Sequence, residues 1–95
     1  MSKPRVVVEY CARCGFMLRA AWVAQELLKT FEEDLAEVAL RPGEGGIFAV
    51  SLDALLLFSN KAEGRFPEMR ELRERLAQAL GSDKRFGHRD APEKP

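Results

Sequence analysis

The chain has 95 residues, enough for one domain and too few for two. Hydrophobic residues make up 46%, so a core is possible, and 15 Lys and Arg side chains are balanced by 15 Asp and Glu. The balance offers no basic surface for nucleic acid or for an acidic membrane, and the first apolar run meets Glu9 too early for a signal peptide or a bilayer span.

Arg5 to Tyr10 carries three consecutive β-branched residues, Val6, Val7 and Val8, as interior parallel strands do. Gly15 to Glu33 has the helical period: Phe16, Ala20, Val23, Leu27 and Phe31 fall on one face. Leu35 to Arg41 is a second strand, bounded by Asp34 and by Pro42-Gly43. Strand, helix and strand in that order predict a right-handed crossover with parallel strands. Phe48 to Leu52 and Leu55 to Ser59 then form an antiparallel hairpin around Asp53-Ala54, with a register uncertain by one because Ala54 suits a positive φ poorly. Residues 61–65 read as a loop. A second amphipathic helix runs from Phe66 to Gly81, with Pro67 in its first turn and Met69, Leu72, Leu76, Ala79 and Leu80 inward. Glu71 and Arg75 pair at i, i+4 on a face read as solvated. The expected domain spans residues 1–83, with a loose polar tail over 84–95. The expected fold is α/β and thioredoxin-like: β-α-β-β-β-α, a four-stranded mixed sheet with two helices.

The two cysteines of the chain, Cys11 and Cys14, stand three positions apart where the first strand gives way to the first helix. Cys11 is expected near the N-cap and Cys14 in the first helical turn. There free N–H groups and the positive end of the helix dipole favour a thiolate. Arg13 adds a cation and Glu9 partly opposes it. A Cys-x-x-Cys between strand and helix is the context of a redox-active pair. Two alternatives stay open: half of a zinc site shared across a dimer, completed by other ligands because zinc takes about four, or two inert buried thiols. Tyr10 is expected beside the thiols. Gly45 and Gly46 either admit a substrate backbone or simply make a turn. Leu18 and Trp22 lie off the inner face of the first helix and suggest a contact patch for a redox partner or a second copy of the chain. His88, the sole histidine, is a candidate proton donor or a solvated side chain.

The stretches VVVEYCARCGF and EVALRPGEGGIFAV, the hairpin, Phe66-Pro67-Glu68 and the last helix together resemble the selenoprotein W/T/H family, also called the Rdx family. The likeness runs from about Arg5 to Asp90 and is nearest to short bacterial members, whose Gly-His-x-Asp tail is matched by Gly87, His88 and Asp90. The resemblance implies a thioredoxin-like fold and thiol-based redox chemistry. Animal relatives place selenocysteine at the position of Cys14, which implies that Cys14 attacks and Cys11 resolves. Thioredoxins attack with their first cysteine and carry a cis-proline before the third strand, where this chain has Gly45 and Gly46. The expected activity is thiol–disulfide oxidoreduction in the cytoplasm on a thiol- or disulfide-bearing protein or glutathione. No bound cofactor is expected, and glutathione or thioredoxin would supply electrons. A non-catalytic, redox-sensing binding module is the alternative, and a homodimer is open under either reading.

Overall fold

A computed structural model describes residues 3–81 of the chain. Its elements are β1 (Arg5–Cys11), α1 (Met17–Thr30), β2 (Glu37–Gly43), β3 (Phe48–Leu52), β4 (Leu55–Ser59), α2 (Asn60–Glu63) and α3 (Met69–Leu80). The sheet order is β2-β1-β3-β4, with β1 and β2 parallel and the other pairs antiparallel. This is the expected thioredoxin-like α/β arrangement with one addition, the single turn α2. Ser59 starts that turn by accepting a hydrogen bond from the Ala62 N–H, and Gly64 ends it.

Strand parity fixes what each face of the sheet does. Val6, Val8 and Tyr10 on β1, with Phe48, Val50 and Leu52 on β3, turn toward the helices. They meet Ala20, Val23, Leu27 and Phe31 of the first helical segment and Leu72, Leu76 and Ala77 of α3. Ala77, one turn on from Arg73, faces the core, and Ala79 is exposed, so the inner face of α3 is rotated from the expected one.

Several boundaries move for local reasons. Gly15 takes φ +76°, which an α-helix excludes, so α1 begins at Met17 with Phe16 as its N-cap. Its far end stops at Thr30. Residues 31–34 form a turn in which Asp34 N–H and Leu35 N–H both donate to Phe31 O. Pro42 lies inside β2 rather than beyond it. β2 is an edge strand, where a missing N–H costs no ladder bond if it faces outward. In the hairpin, Leu52 pairs with Leu55 as expected, and Asp53, at φ +51°, takes the left-handed position that Ala54 does not need to. Asp53 Oδ1 also accepts the Arg5 N–H, 3.0 Å away. Further along, Leu57 is left over between the pairs Ser51–Leu56 and Val50–Phe58, forming a bulge.

The charged face of α3 is not simply solvated. Glu68 caps the helix, so Pro67 precedes it, and Glu71 closes a capping box with the Glu68 N–H. Arg65 grips Glu71 with both terminal nitrogens, at 2.9 and 2.7 Å. Arg75 reaches Glu63 at 2.7 and 3.1 Å, Glu71 at 3.0 Å, and the carbonyl of the bulged Leu57 at 2.7 Å. Both guanidinium groups lie over the Phe58 ring, at 5.4 and 5.5 Å. The arginines pull the Glu71 carboxyl down to about 2 and lower that of Glu63, with a hydrogen-bonded arginine as the main cause for each.

Candidate functional site

The chain leaves β1 at Cys11 and makes a tight turn through Ala12, Arg13 and Cys14 before Gly15 reverses its direction. Gly15 N–H donates to Ala12 O at 3.2 Å, and Phe16 N–H donates to Cys11 O. The segment from β2 to β3 arches across the end of β1 and ties this turn from both sides. Cys11 N–H donates to Ile47 O at 2.8 Å, and Ala12 N–H to Gly43 O at 3.2 Å. The two cysteines have Cα atoms 5.3 Å apart and are joined as a disulfide. Cys11 is 2% exposed, whereas Cys14 is on the surface.

The expectation that Cys14 lies in the first helical turn is corrected. It precedes Met17 by three residues, because Gly15 and Phe16 intervene. The helix field is strongest within the first turn and acts on Cys14 only from beyond it.

Arg13 is exposed and lines a cleft of about 600 Å³ with Ala12, Pro42, Gly43, Glu44 and Gly45. Gly45 and Gly46 adopt φ +69° and +77°, so the glycines serve a turn whose backbone L-residues rarely take. Gly45 is also on the cleft wall. Asn60 holds this turn by a pair of bonds: its Oδ1 accepts the Phe48 N–H and its Nδ2 donates to Gly46 O, each at 2.8 Å. Lys61 donates to Gly45 O. Where the sequence predicts a loop over 61–65, the structure has the turn α2 over Asn60–Glu63, which supplies both Asn60 and Lys61. The sequence signal was an Asn directly after a strand, a residue that readily bonds nearby backbone.

Tyr10 is not part of the exposed site. It is in phase with Val6 and Val8, so its ring belongs to the core on the helix side of the sheet, while Cys11 takes the opposite parity. Leu18 and Trp22 are 81% and 51% exposed, and Met17 beside them is 52% exposed. These three residues form an apolar patch on the first turns of α1, next to Cys14 in sequence.

Phe66 supports the turn from within. Its ring meets Phe16 edge-on at 5.0 Å and Phe48 at 5.4 Å, and the Arg19 guanidinium covers it at 4.2 Å. It links the start of α1 to the start of β3. Gly87, His88 and Asp90 lie outside the described residues. Among the described residues no three His, Cys, Asp or Glu side chains converge as metal ligands would, and no helix is long and apolar enough to cross a membrane.

Comparison with known proteins places this geometry. The Rdx family matches residues 5–78, from the first residue of β1 almost to the end of α3. The chain belongs to the Rdx family. Among curated proteins it is 35% identical over 81 residues to Migration and invasion enhancer 1 of Bos taurus, a match covering 83% of this chain and 67% of that protein. The Mus musculus protein of the same name is 34% identical over 84 residues, covering 86% and 70%. A crystal structure of a Bordetella parapertussis protein superposes with a TM-score of 0.80 at 45% identity, covering 82% of this chain and 99% of that one. A selenoprotein W-related protein from Vibrio cholerae gives a TM-score of 0.80 at 39% identity, covering 83% and 99%. Rdx membership and a Cys-x-x-Cys pair at disulfide distance point to a redox role.

Proposed function

We propose that this Rdx protein is a thiol–disulfide oxidoreductase in which Cys14 exchanges with the substrate and Cys11 resolves. The observation that carries the reading is the asymmetry of the pair: two sulfurs within bonding reach, one exposed and one buried. A substrate disulfide can approach only the exposed sulfur. In the reduced protein the Cys14 thiolate attacks a substrate disulfide, one substrate sulfur leaves as a thiolate and is protonated, and a mixed disulfide remains. The Cys11 thiolate then attacks Cys14 Sγ and releases the second substrate thiol. Two electrons have moved to the substrate, and the protein holds the Cys11–Cys14 disulfide. Two glutathione thiols, or a thioredoxin dithiol, return it to the reduced state.

The proposed substrate is a disulfide-bearing protein. Met17, Leu18 and Trp22, which follow Cys14 closely in sequence, present apolar surface of a kind that a small peptide would leave uncovered. The cleft lined by Arg13, Gly43 and Gly45 suits extended chain. The proposed setting is a reducing cytoplasm, where the pair would be returned to thiols after each cycle.

The test is turnover. With glutathione as reductant, the protein is expected to reduce a protein disulfide in catalytic amounts, and Cys14→Ser to abolish this. Cys11→Ser is expected to stop after one event and accumulate a mixed disulfide on Cys14, visible by mass. A wild-type protein that oxidises once and never turns over contradicts the reading and leaves the redox-sensing module.

A further inference from the structure

Glu9 stands two residues before Cys11 on β1, so both side chains share the sheet face turned away from the helices. Cys11 is paired with Gly43 of β2, and Glu9 with Arg41 of β2 and Ala49 of β3. The space beside Gly43 is already taken. A Cβ there would lie 2.8 Å from Glu9 Oε2, 3.1 Å from Glu9 Cγ and 3.0 Å from Ile47 Cγ2. The Glu9 side chain therefore leans toward the thiol end of the sheet, over the neighbour of Cys11 that has no side chain. Adjacent strands are about 4.8 Å apart. Glu9 Oε2 thus lies over the cross-strand neighbour of Cys11, on the sheet face that the Cys11 side chain shares.

The surroundings leave this carboxylate free to act. Among the described residues it has neither a hydrogen bond nor an ion pair, although Arg41 is its cross-strand neighbour. Ala49 and, beyond it, Ser59 put no titratable group from β3 or β4 against it. At the same end Arg13 and Glu44 line the cleft, and Lys61 is engaged with Gly45 O.

We propose that Glu9 is the proton acceptor for the resolving thiol of Cys11. The proposal rests on the oxidoreductase reading above and adds the group that makes its second step possible near neutral pH. In the mixed disulfide, Cys14 Sγ is bonded to a substrate sulfur and Cys11 carries its proton. Glu9 takes that proton, and the Cys11 thiolate attacks Cys14 Sγ. The Cys14–substrate bond breaks, and the substrate sulfur leaves with the electron pair. The Glu9 carboxylic acid then gives its proton to the departing thiolate or to water.

The experiment mixes the reduced full-length protein with one equivalent of 5,5′-dithiobis(2-nitrobenzoic acid) in a stopped-flow instrument. The first equivalent of coloured thiolate reports attack by Cys14 and the second reports resolution by Cys11. In Glu9→Gln the first phase is expected to stay within about twofold of wild type. The second is expected to slow on the order of a hundredfold at pH 7 and to recover as rising pH supplies hydroxide to take the proton in place of the carboxylate. Glu9→Asp, which keeps a carboxylate, is expected to recover part of the rate. A second phase unchanged in Glu9→Gln, slowed equally at every pH, or accelerated overturns the proposal. Acceleration is what simple removal of a negative neighbour of the thiolate produces. A wild-type protein that releases only the first equivalent overturns the oxidoreductase reading and the role of Glu9 with it.

Discussion

Glu71 and Glu9 are both half-buried carboxylates, and the molecule treats them in opposite ways. Glu71 is held by Arg65 and Arg75 and by the Glu68 N–H, inside a cluster that also engages Glu63, the Phe58 ring and the bulged carbonyl of Leu57. Glu9 has no such partner among the described residues and leans over Gly43, the cross-strand neighbour of Cys11. A carboxylate with three partners is structure, because moving its proton would break each contact. One with a free pair of oxygens on the sheet face of a reacting thiol is available for chemistry. The same contrast separates the two sulfurs, Cys11 enclosed by the arch from Gly43 to Ile47 and Cys14 open to solvent.

The largest effect belongs to the thiol end. Cys14→Ser should eliminate disulfide exchange while leaving the thermal unfolding of the reduced protein within about 0.5 kcal/mol of wild type, as for other exposed positions. At the other end, Arg75→Ala should do the reverse. It removes the partner of Glu63, Glu71 and the Leu57 carbonyl, and should destabilise by about 1–3 kcal/mol in urea unfolding, with both exchange phases unchanged. If Arg75→Ala altered the exchange rates, the separation between the two regions would fail.

The acid limb of stability sharpens the contrast. The folded-state pKa of Glu71 is lowered from 4.5 to about 2, chiefly by its hydrogen bonds from Arg65. Its contribution is whole above its ordinary value and is lost as pH falls through 4.5 toward 2. Glu71→Gln should therefore lie below wild type in Tm at neutral pH, with the gap closing across that window. A gap of constant size from pH 7 to pH 2 would show that the charge of Glu71 contributes nothing. The smallest effect on folding is expected for Trp22→Glu. It should change stability by less than about 0.5 kcal/mol and spare reaction with small disulfides, yet slow reaction with a protein disulfide. Equal rates on both substrates would remove the apolar patch from the account.

What could be read from the sequence was whatever depends on local periodicity. Val6 to Val8, the i, i+4 face of α1 and the alternation through Phe48 to Leu52 each report their own element, and the cysteine spacing reports itself. The burial of Tyr10 is equally legible, since it shares parity with Val6 and Val8. The rest depends on register. That Glu9 leans over Gly43 follows only once β1 and β2 are aligned with Cys11 opposite Gly43. That Phe66 braces Phe16 and Phe48, or that Asn60 holds the Gly45-Gly46 turn, requires the ends of separate elements to meet. The late start of α1 turns on one backbone angle at Gly15, which pattern alone does not reveal.

Cys11 and Cys14 are proposed to form a dithiol that cycles. The measurement that tests it most directly is a redox titration of the pair in glutathione buffers, read by alkylation and mass. A cycling pair should show a reversible two-electron transition with a midpoint of about −200 to −270 mV, the range from glutaredoxins to thioredoxin. A pair that forms no disulfide at any poise, or one that glutathione cannot reduce, would contradict it.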